Sequence, residues 1–279
     1  MSGTLYVVGT PIGNLGDMTP RQRETLASVD FIAAEDTRVT VKLLNHFEIK
    51  KPLVSYYEHN LRERGEQIVS RIEAGENCAV VSDAGMPCIS DPGEDLVRLC
   101  AERGIPTVVV PGPSAVISAL CVSGLITSRF CFEGFLSTAK KSRREHLEAI
   151  KNEPRTMIFY EAPHKLQNTL QDLLDALGDR KISIARELTK LHEEVLRFSL
   201  SQAVEYYVNT PPRGEFVLVV EGASQPQEQA MTLADAVELA KQLEREGQRP
   251  ADAAKAAAKQ SGFKKSEIYQ GLLREKQEG

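Results

Sequence analysis

Residues 78–93 read Cys78-Ala-Val-Val-Ser-Asp-Ala-Gly-Met-Pro-Cys-Ile-Ser-Asp-Pro-Gly93. Cys78 to Val81 is a short continuous apolar run, the pattern of a strand buried on both faces. It stops at Ser82-Asp83-Ala84-Gly85-Met86-Pro87, small residues with a single carboxylate. In open α/β sheets, ligands sit just outside the carboxyl ends of strands. Gly85 lets a ligand approach the main chain closely, and Asp83 offers acceptors to hydroxyl or ammonium groups. Asp91-Pro92-Gly93 then opens a helix, with Asp91 as N-cap and Pro92 at the first helical position. On composition alone, a strand, an ordinary turn and a capped helix without any ligand describe the stretch equally well.

The same alternation recurs on either side. Thr4 to Val8, Phe31 to Ala34, Leu53 to Tyr56 and Thr107 to Val110 are further short strands, with helices at Arg21 to Ser28, Arg62 to Ala74, after Asp91 and after Pro113. Such spacing implies a mainly parallel sheet covered on both faces. Around Leu125-Ile-Thr-Ser128 the chain passes to a second unit. Its strands fall near Phe130–Phe132, Thr156–Tyr160, Ile182–Glu187, Glu194–Phe198 and Phe216–Glu221, and its helices near Arg144 to Lys151 and His164 to Leu177. The last three strands have less helix between them, so this sheet should be mixed. Gly222 to Ala230 is a polar linker. Thr232 caps a helix to about Glu246, a second starts after Pro250 and runs to Lys259, and a third runs from Lys264 to about Lys276, after the turn Ser261-Gly262-Phe263. Three short helices with a glycine turn suggest a helix-turn-helix module. The expected organisation is therefore α/β: a mainly parallel lobe over 1–124, a mixed α/β lobe over 125–222 and a helical tail over 232–279.

The chain has 279 residues, 42% hydrophobic and 26% charged, with a net charge of −5. That is ordinary for a globular protein with a sizeable core, and nucleic-acid contact must come from local patches. Five cysteines occur, with no Cys-x-x-Cys pair and no histidine cluster at metal-ligand spacing, so no metal site is expected. Cys78, Cys100, Cys121 and Cys131 lie in apolar runs and read as buried, reduced thiols of a cytoplasmic protein. Met1 to Gly13 lacks the features of a secretory signal. Val108 to Thr127 is uncharged and about as long as a membrane span. Pro111-Gly112-Pro113 breaks it, however, and it reads as a buried strand-turn-helix unit with no membrane role.

Several loops at strand ends carry chemistry-bearing residues. Gly9-Thr-Pro-Ile-Gly13-Asn-Leu-Gly16 follows a strand but fits neither the dinucleotide fingerprint nor the P-loop. A glycine turn without a ligand remains an alternative. Pro111-Gly112-Pro113-Ser114-Ala115 leaves room for a flat group beside the Asp83 loop, or serves as a tight turn for helix packing. Glu35-Asp36-Thr37-Arg38 ends the second strand, where Asp36 reads equally well as an N-cap paired with Arg38. His59 sits on the same rim, after the third strand. Lys140-Lys141-Ser142-Arg143-Arg144 puts four cations where a helix begins, against the helix dipole. Arg249 to Lys276 holds seven cationic and three anionic residues. Lys140, Lys141, Arg143 and Arg144, with Lys255, Lys259, Lys264 and Lys265, are candidate phosphate contacts; solvated helix faces are the competing explanation.

Ser82-Asp83-Ala84-Gly85-Met86-Pro87 and Asp91-Pro92-Gly93 also resemble the cofactor loop of the tetrapyrrole methylase superfamily, the class III methyltransferases that use S-adenosylmethionine (SAM). Gly9-Thr-Pro-Ile-Gly-Asn-Leu15, Ala34-Glu-Asp-Thr-Arg38, Pro111-Gly-Pro-Ser114, Phe159-Tyr-Glu161, Ala185-Arg-Glu-Leu-Thr-Lys190 and Gly214-Glu-Phe216 resemble its ribosomal RNA methyltransferase branch. The blocks run in order over nearly the whole chain. The resemblance implies a SAM cleft between two α/β lobes, with contacts from Pro11, Asp83, Gly85, Met86, Pro111, Gly112, Ser114, Ala115, Glu161, Ala162 and Ala185. It further implies a homodimer and 2′-O-methylation of cytidine 1402 in the 16S rRNA of the small ribosomal subunit. A ribose hydroxyl needs a base, and Glu35, His59, Glu161 and Glu187 are the candidates. Two rivals stand beside this reading: methylation of a tetrapyrrole or a protein, and a DNA-binding regulator that senses SAM.

Overall fold

A computed structural model describes residues 2–57, 61–91, 93–224 and 231–278, with side chains through 274. They form two compact units, Met1–Ala223 and Ser224–Gly279.

The Cys78–Val81 run is strand β4, the middle of a five-stranded sheet. With β1 (Leu5–Val8), β2 (Phe31–Ala34), β3 (Leu53–Ser55) and β5 (Thr107–Val110) the order is β3-β2-β4-β1-β5. All these pairs are parallel; Leu5 and Phe31 flank Cys78 from either side. Cys78 and Val80 face one core, with Ile68 and Ile72 of α3 (Leu61–Glu73) and Leu96 and Cys100 of α4 (Gly93–Glu102). Ala79 and Val81 face the other, with Leu26 of α1 (Pro20–Ser28) and Leu44 of α2 (Thr37–His46). Burial on both faces explains why the strand is apolar at every position.

The second sheet has the order β6-β7-β10-β8-β9, built from β6 (Phe130–Gly134), β7 (Thr156–Glu161), β8 (Lys181–Arg186), β9 (Glu194–Ser199) and β10 (Phe216–Val220). Only β6–β7 is parallel; β7–β10, β10–β8 and β8–β9 are antiparallel. One face packs Leu147 of α6 (Lys140–Ile150), Leu170 and Leu173 of α7 (Leu166–Leu177) and Tyr207 of α8 (Leu200–Asn209). The other face takes Val116, Ala119 and Leu120 of α5 (Ala115–Ser123) against Ile158, Ala185 and Val219. The helix that follows the first sheet therefore packs on the second, which joins the two sheets in one unit.

Three expectations are revised. Helix α8 was not anticipated, and α2 only as an Asp36 N-cap without an extent; α8 carries a full capping box between Ser199 and Gln202. Cys121 is exposed, and so are Val108, Val109, Ile117, Val122 and Ile126, because β5 is an edge strand and α5 is apolar on its outer side as well. The Val108–Thr127 unit is thus only half buried.

The second unit comprises α9 (Leu233–Arg245), α10 (Pro250–Ser261) and α11 (Lys265–Glu278) around Ala236, Val237, Ala240, Ala254, Ala257, Ile268 and Leu272. Thr232 and Asp235 form a capping box, and Gly262 ends α10 in the left-handed conformation. Among the described residues no helix is long and apolar enough to cross a membrane.

Candidate active site

The carboxyl ends of β1, β4 and β5 are strapped together by main-chain contacts. Thr10 N–H donates to Gly85 O at 2.8 Å, and Gly85 N–H returns a bond to Thr10 O at 3.1 Å. Buried Gln22 donates to Gly9 O at 2.7 Å. Gly112 lies so close to Gly9 that an added Cβ would come within 2.9 Å of its Cα. Gly85 has φ +85°, where a side chain is costly. Cys88 and Ser90 also adopt positive φ, of 72° and 64°, a strain that tends to gather at ligand sites. Asp91 braces this loop, its Oδ1 accepting from Cys88 N–H at 2.8 Å and Gly93 N–H at 2.9 Å. Pro92 lies outside the described residues.

Over these strand ends opens a cavity of about 510 Å³, a size suited to a small-molecule ligand. Asp83, Gly85, Met86, Ser114, Ala115, Glu161, Ala162 and Ala185 line it, together with Glu35. Pro11 lines an adjoining cavity, while Pro111 and Gly112 line neither. The second sheet adds Tyr160, Phe216 and Val217, with Leu188 and Phe135 beside them. Sequence reasoning missed these, because a lining residue on an apolar strand looks the same as a core residue. The described lining holds five carboxylates, Glu35, Asp83, Asp91, Glu161 and Glu215, and no Lys, Arg or His. Such a chamber favours a cationic ligand and disfavours phosphates.

Glu35 and Asp83 are linked through the main chain. Glu35 Oε2 accepts from Asp83 N–H at 3.2 Å, and Asp83 Oδ1 accepts from Asp36 N–H at 3.1 Å. Burial holds both carboxyls above their ordinary range, against the pull of those two hydrogen bonds; neighbouring Asp83 raises Glu35 further. Asp36 caps α2 and grips Arg38 at 2.6 Å, which lowers it to about 2.

The other base candidates are committed elsewhere. Glu161 is buried; its Oε2 accepts from Thr169 Oγ1 at 2.5 Å and its Oε1 from Ala162 N–H at 2.8 Å. Thr169 in turn accepts from Arg143 at 2.9 Å, and Arg143 pairs with Asp172 at 2.6 Å. Arg143 is thus folded inward, whereas Lys140, Lys141 and Arg144 are exposed on α6. Glu187 is held below its usual range by Lys190 at 2.9 Å, and does not line the cavity. His59 lies outside the described residues. Lys255, Lys259, Lys264 and Lys265 are exposed on the three-helix unit. Among the described residues no cluster of His, Cys, Asp and Glu is arranged to hold a metal.

Residues 4–204 match the family model of the Tetrapyrrole (Corrin/Porphyrin) Methylases. The chain is 46% identical over 269 residues to ribosomal RNA small subunit methyltransferase I of Synechocystis sp., covering 96% of each. The protein of that name from Thermotoga maritima is 50% identical over 220 residues, which is 99% of it and 79% of this chain. In fold, the chain resembles a uroporphyrin-III C-methyltransferase of Thermus thermophilus solved with S-adenyl homocysteine (TM-score 0.56, 18% identity, 78% of this chain and 97% of that one). On the family match and these near-full-length relatives, the chain belongs to the tetrapyrrole methylase family, in its ribosomal RNA small subunit methyltransferase I group.

Proposed function

We propose that this protein transfers a methyl group from SAM to the ribose 2′-oxygen of cytidine 1402 in 16S rRNA. The observation that carries the reading is the near-full-length likeness to small-subunit rRNA methyltransferases. The cavity agrees with it on physical grounds. SAM carries a sulfonium and an ammonium, and the charged groups of the described lining are all carboxylates. A Cβ on Gly85 would meet Ile12 Cγ2 at 3.2 Å, so the glycine lets the loop pack closely on Ile12 at the cavity edge. Apolar Ile12, Ala115, Leu188 and Val217 offer a surface for a flat base.

On this reading Asp83, Gly85, Met86, Ser114, Ala115, Ala162 and Ala185 hold the cofactor, and Glu161 fixes the Ala162 turn. Once bound, SAM supplies a methyl carbon already activated by its sulfonium. The residues around it then mainly align the reacting groups, a contribution worth roughly 7–11 kcal/mol at best. Of the described base candidates, Glu35 alone lines the cavity without a buried or charged partner. Its raised pKa suits proton abstraction, which adds typically ~10²–10⁴-fold.

Lys140, Lys141 and Arg144, with the lysines of the three-helix unit, are proposed to grip phosphates. Residues 1–124, 125–222 and 232–279 serve as two lobes and a tail. A cytoplasmic homodimer completes the proposal, supported by the uncovered apolar side of α5 and β5.

The test offers labelled SAM to small ribosomal subunits, naked 16S rRNA and DNA in parallel. Label in the rRNA of either RNA substrate supports the reading. Cofactor binding with no RNA labelled would favour a tetrapyrrole or protein acceptor, and duplex DNA binding without turnover would favour a regulator.

A further inference from the structure

A second cavity of about 370 Å³ opens beside the first. Five residues, Ile12, Ser82, Asp83, Ala84 and Glu215, line both chambers. Methyl transfer needs two ligands whose reacting atoms meet, so two chambers with a common wall have the right relation. Their chemistry differs. The first has five carboxylates and no cation in its described lining, whereas the second carries Lys42 and Lys190 beside the shared Asp83 and Glu215. Its remaining wall combines apolar Pro11, Leu15, Val39 and Leu43 with Thr10, Gly13 and Thr40. Leu15 and Val39 are exposed, as a surface awaiting a flat partner would be.

Lys190 is held in this wall at some expense. Glu187 and Thr189, on either side of Leu188, adopt φ of 51° and 67°, unfavourable for non-glycine residues. Lys190 Nζ bridges Glu187 at 2.9 Å and Glu215 at 2.8 Å. Gly13 has no room for a side chain, since a Cβ would fall 2.5 Å from Lys190 Cγ. Thr189 Oγ1 is buried without a hydrogen-bond partner. Local strain and an unsatisfied hydroxyl persist where a site requires them.

We propose that this second cavity, between the Pro11–Leu15 loop, α2 and Lys190, receives the acceptor nucleoside of a single-stranded RNA segment. The base would pack on Leu15 and Val39, exposed Lys42 would face a flanking phosphate, Lys190 would keep Glu187 and Glu215 in place at the wall, and the ribose would lie at the shared wall by Asp83. The proposal rests on the methyltransferase reading and adds the place where the acceptor binds. Sequence-specific RNA recognition mostly takes unstacked bases of single-stranded segments, and the apolar part of this wall offers such a base a surface to pack on.

Val39→Trp fills the cavity with a bulky ring. Lys42→Glu changes an exposed charge. SAM affinity of both variants, measured by calorimetry, should stay within about twofold of wild type, which also verifies the fold. Both variants should raise KM for the small subunit about tenfold or more. A kcat/KM within twofold of wild type in both variants would overturn the proposal. A wild-type enzyme that binds SAM yet labels no rRNA would instead overturn the functional reading itself.

Discussion

Gly85 carries the most at the scale of single residues. Its φ of +85° disfavours any side chain, and a Cβ would sit tightly, 3.2 Å from Ile12 Cγ2. Gly85→Val should cost about 1–2 kcal/mol in stability and weaken SAM binding by at least about tenfold. Calorimetry on the folded variant checks this, and undiminished affinity would remove the loop from the cofactor site. Glu35 and Asp83 give a pH signature. Both are raised in the folded protein, chiefly by burial. The folded state therefore holds protons more tightly than the unfolded chain. Stability is lost as pH rises from the ordinary carboxylate value, about 4, through the raised ones. Affinity for a cationic cofactor, which needs the ionised forms, should rise over the same window. Glu35→Gln should flatten both trends relative to wild type and lower kcat. Superimposable profiles for the two proteins would contradict the assignment. The buried strand and the turn at Asp83 and Gly85 were legible in advance, though composition alone fits a turn without a ligand equally well. The link between Glu35 and Asp83 was not legible, because it joins residues 48 apart through main-chain geometry.

At the scale of elements, α6 divides its cations by direction. The sequence placed Arg143 with Lys140, Lys141 and Arg144 as one patch, yet Arg143 turns inward to Asp172 and Thr169 and so supports Glu161. A run of four cations carries no signal of which one will find a partner across a tertiary contact. Charge reversal at Lys140, Lys141 and Arg144 should leave stability unchanged and flatten the salt dependence of RNA binding, by about one unit of slope per lost phosphate contact. Thr169→Val should do the opposite. It strips a hydrogen bond from a buried carboxylate, at about 1–3 kcal/mol in urea unfolding, with the salt slope intact. Equal effects from the two classes would refute the division. Helix α2 was legible only at its start, where Asp36 reads as an N-cap paired with Arg38. Helix α8 was obscured although Ser199 and Gln202 stand at capping-box spacing, because its neighbours read as consecutive strands.

At the scale of the molecule, both sheets and the cavity belong to Met1–Ala223. The sheet alternation that gives the fold is local and periodic, and was readable as such. The packing of α5 on the second sheet was not, since an all-apolar helix does not say which neighbour it will take. The Thermotoga maritima relative, matched over 99% of its length by 220 residues, has room for the first unit and not for the second as well. A chain ending at Gly222 should therefore fold and bind SAM, but bind small subunits more weakly and with a shallower salt slope. Lost SAM binding would make the three helices structural, and unchanged RNA affinity would deny them a grip on RNA.

The most direct measurement locates the transferred methyl. Small subunits lacking the modification are incubated with the protein and SAM, and the 16S rRNA is digested and analysed by mass spectrometry. The expected result is one added methyl, on the ribose of cytidine 1402, which protects its 3′ phosphodiester from alkali. A methyl on a base, on another nucleotide or on a ribosomal protein would contradict it.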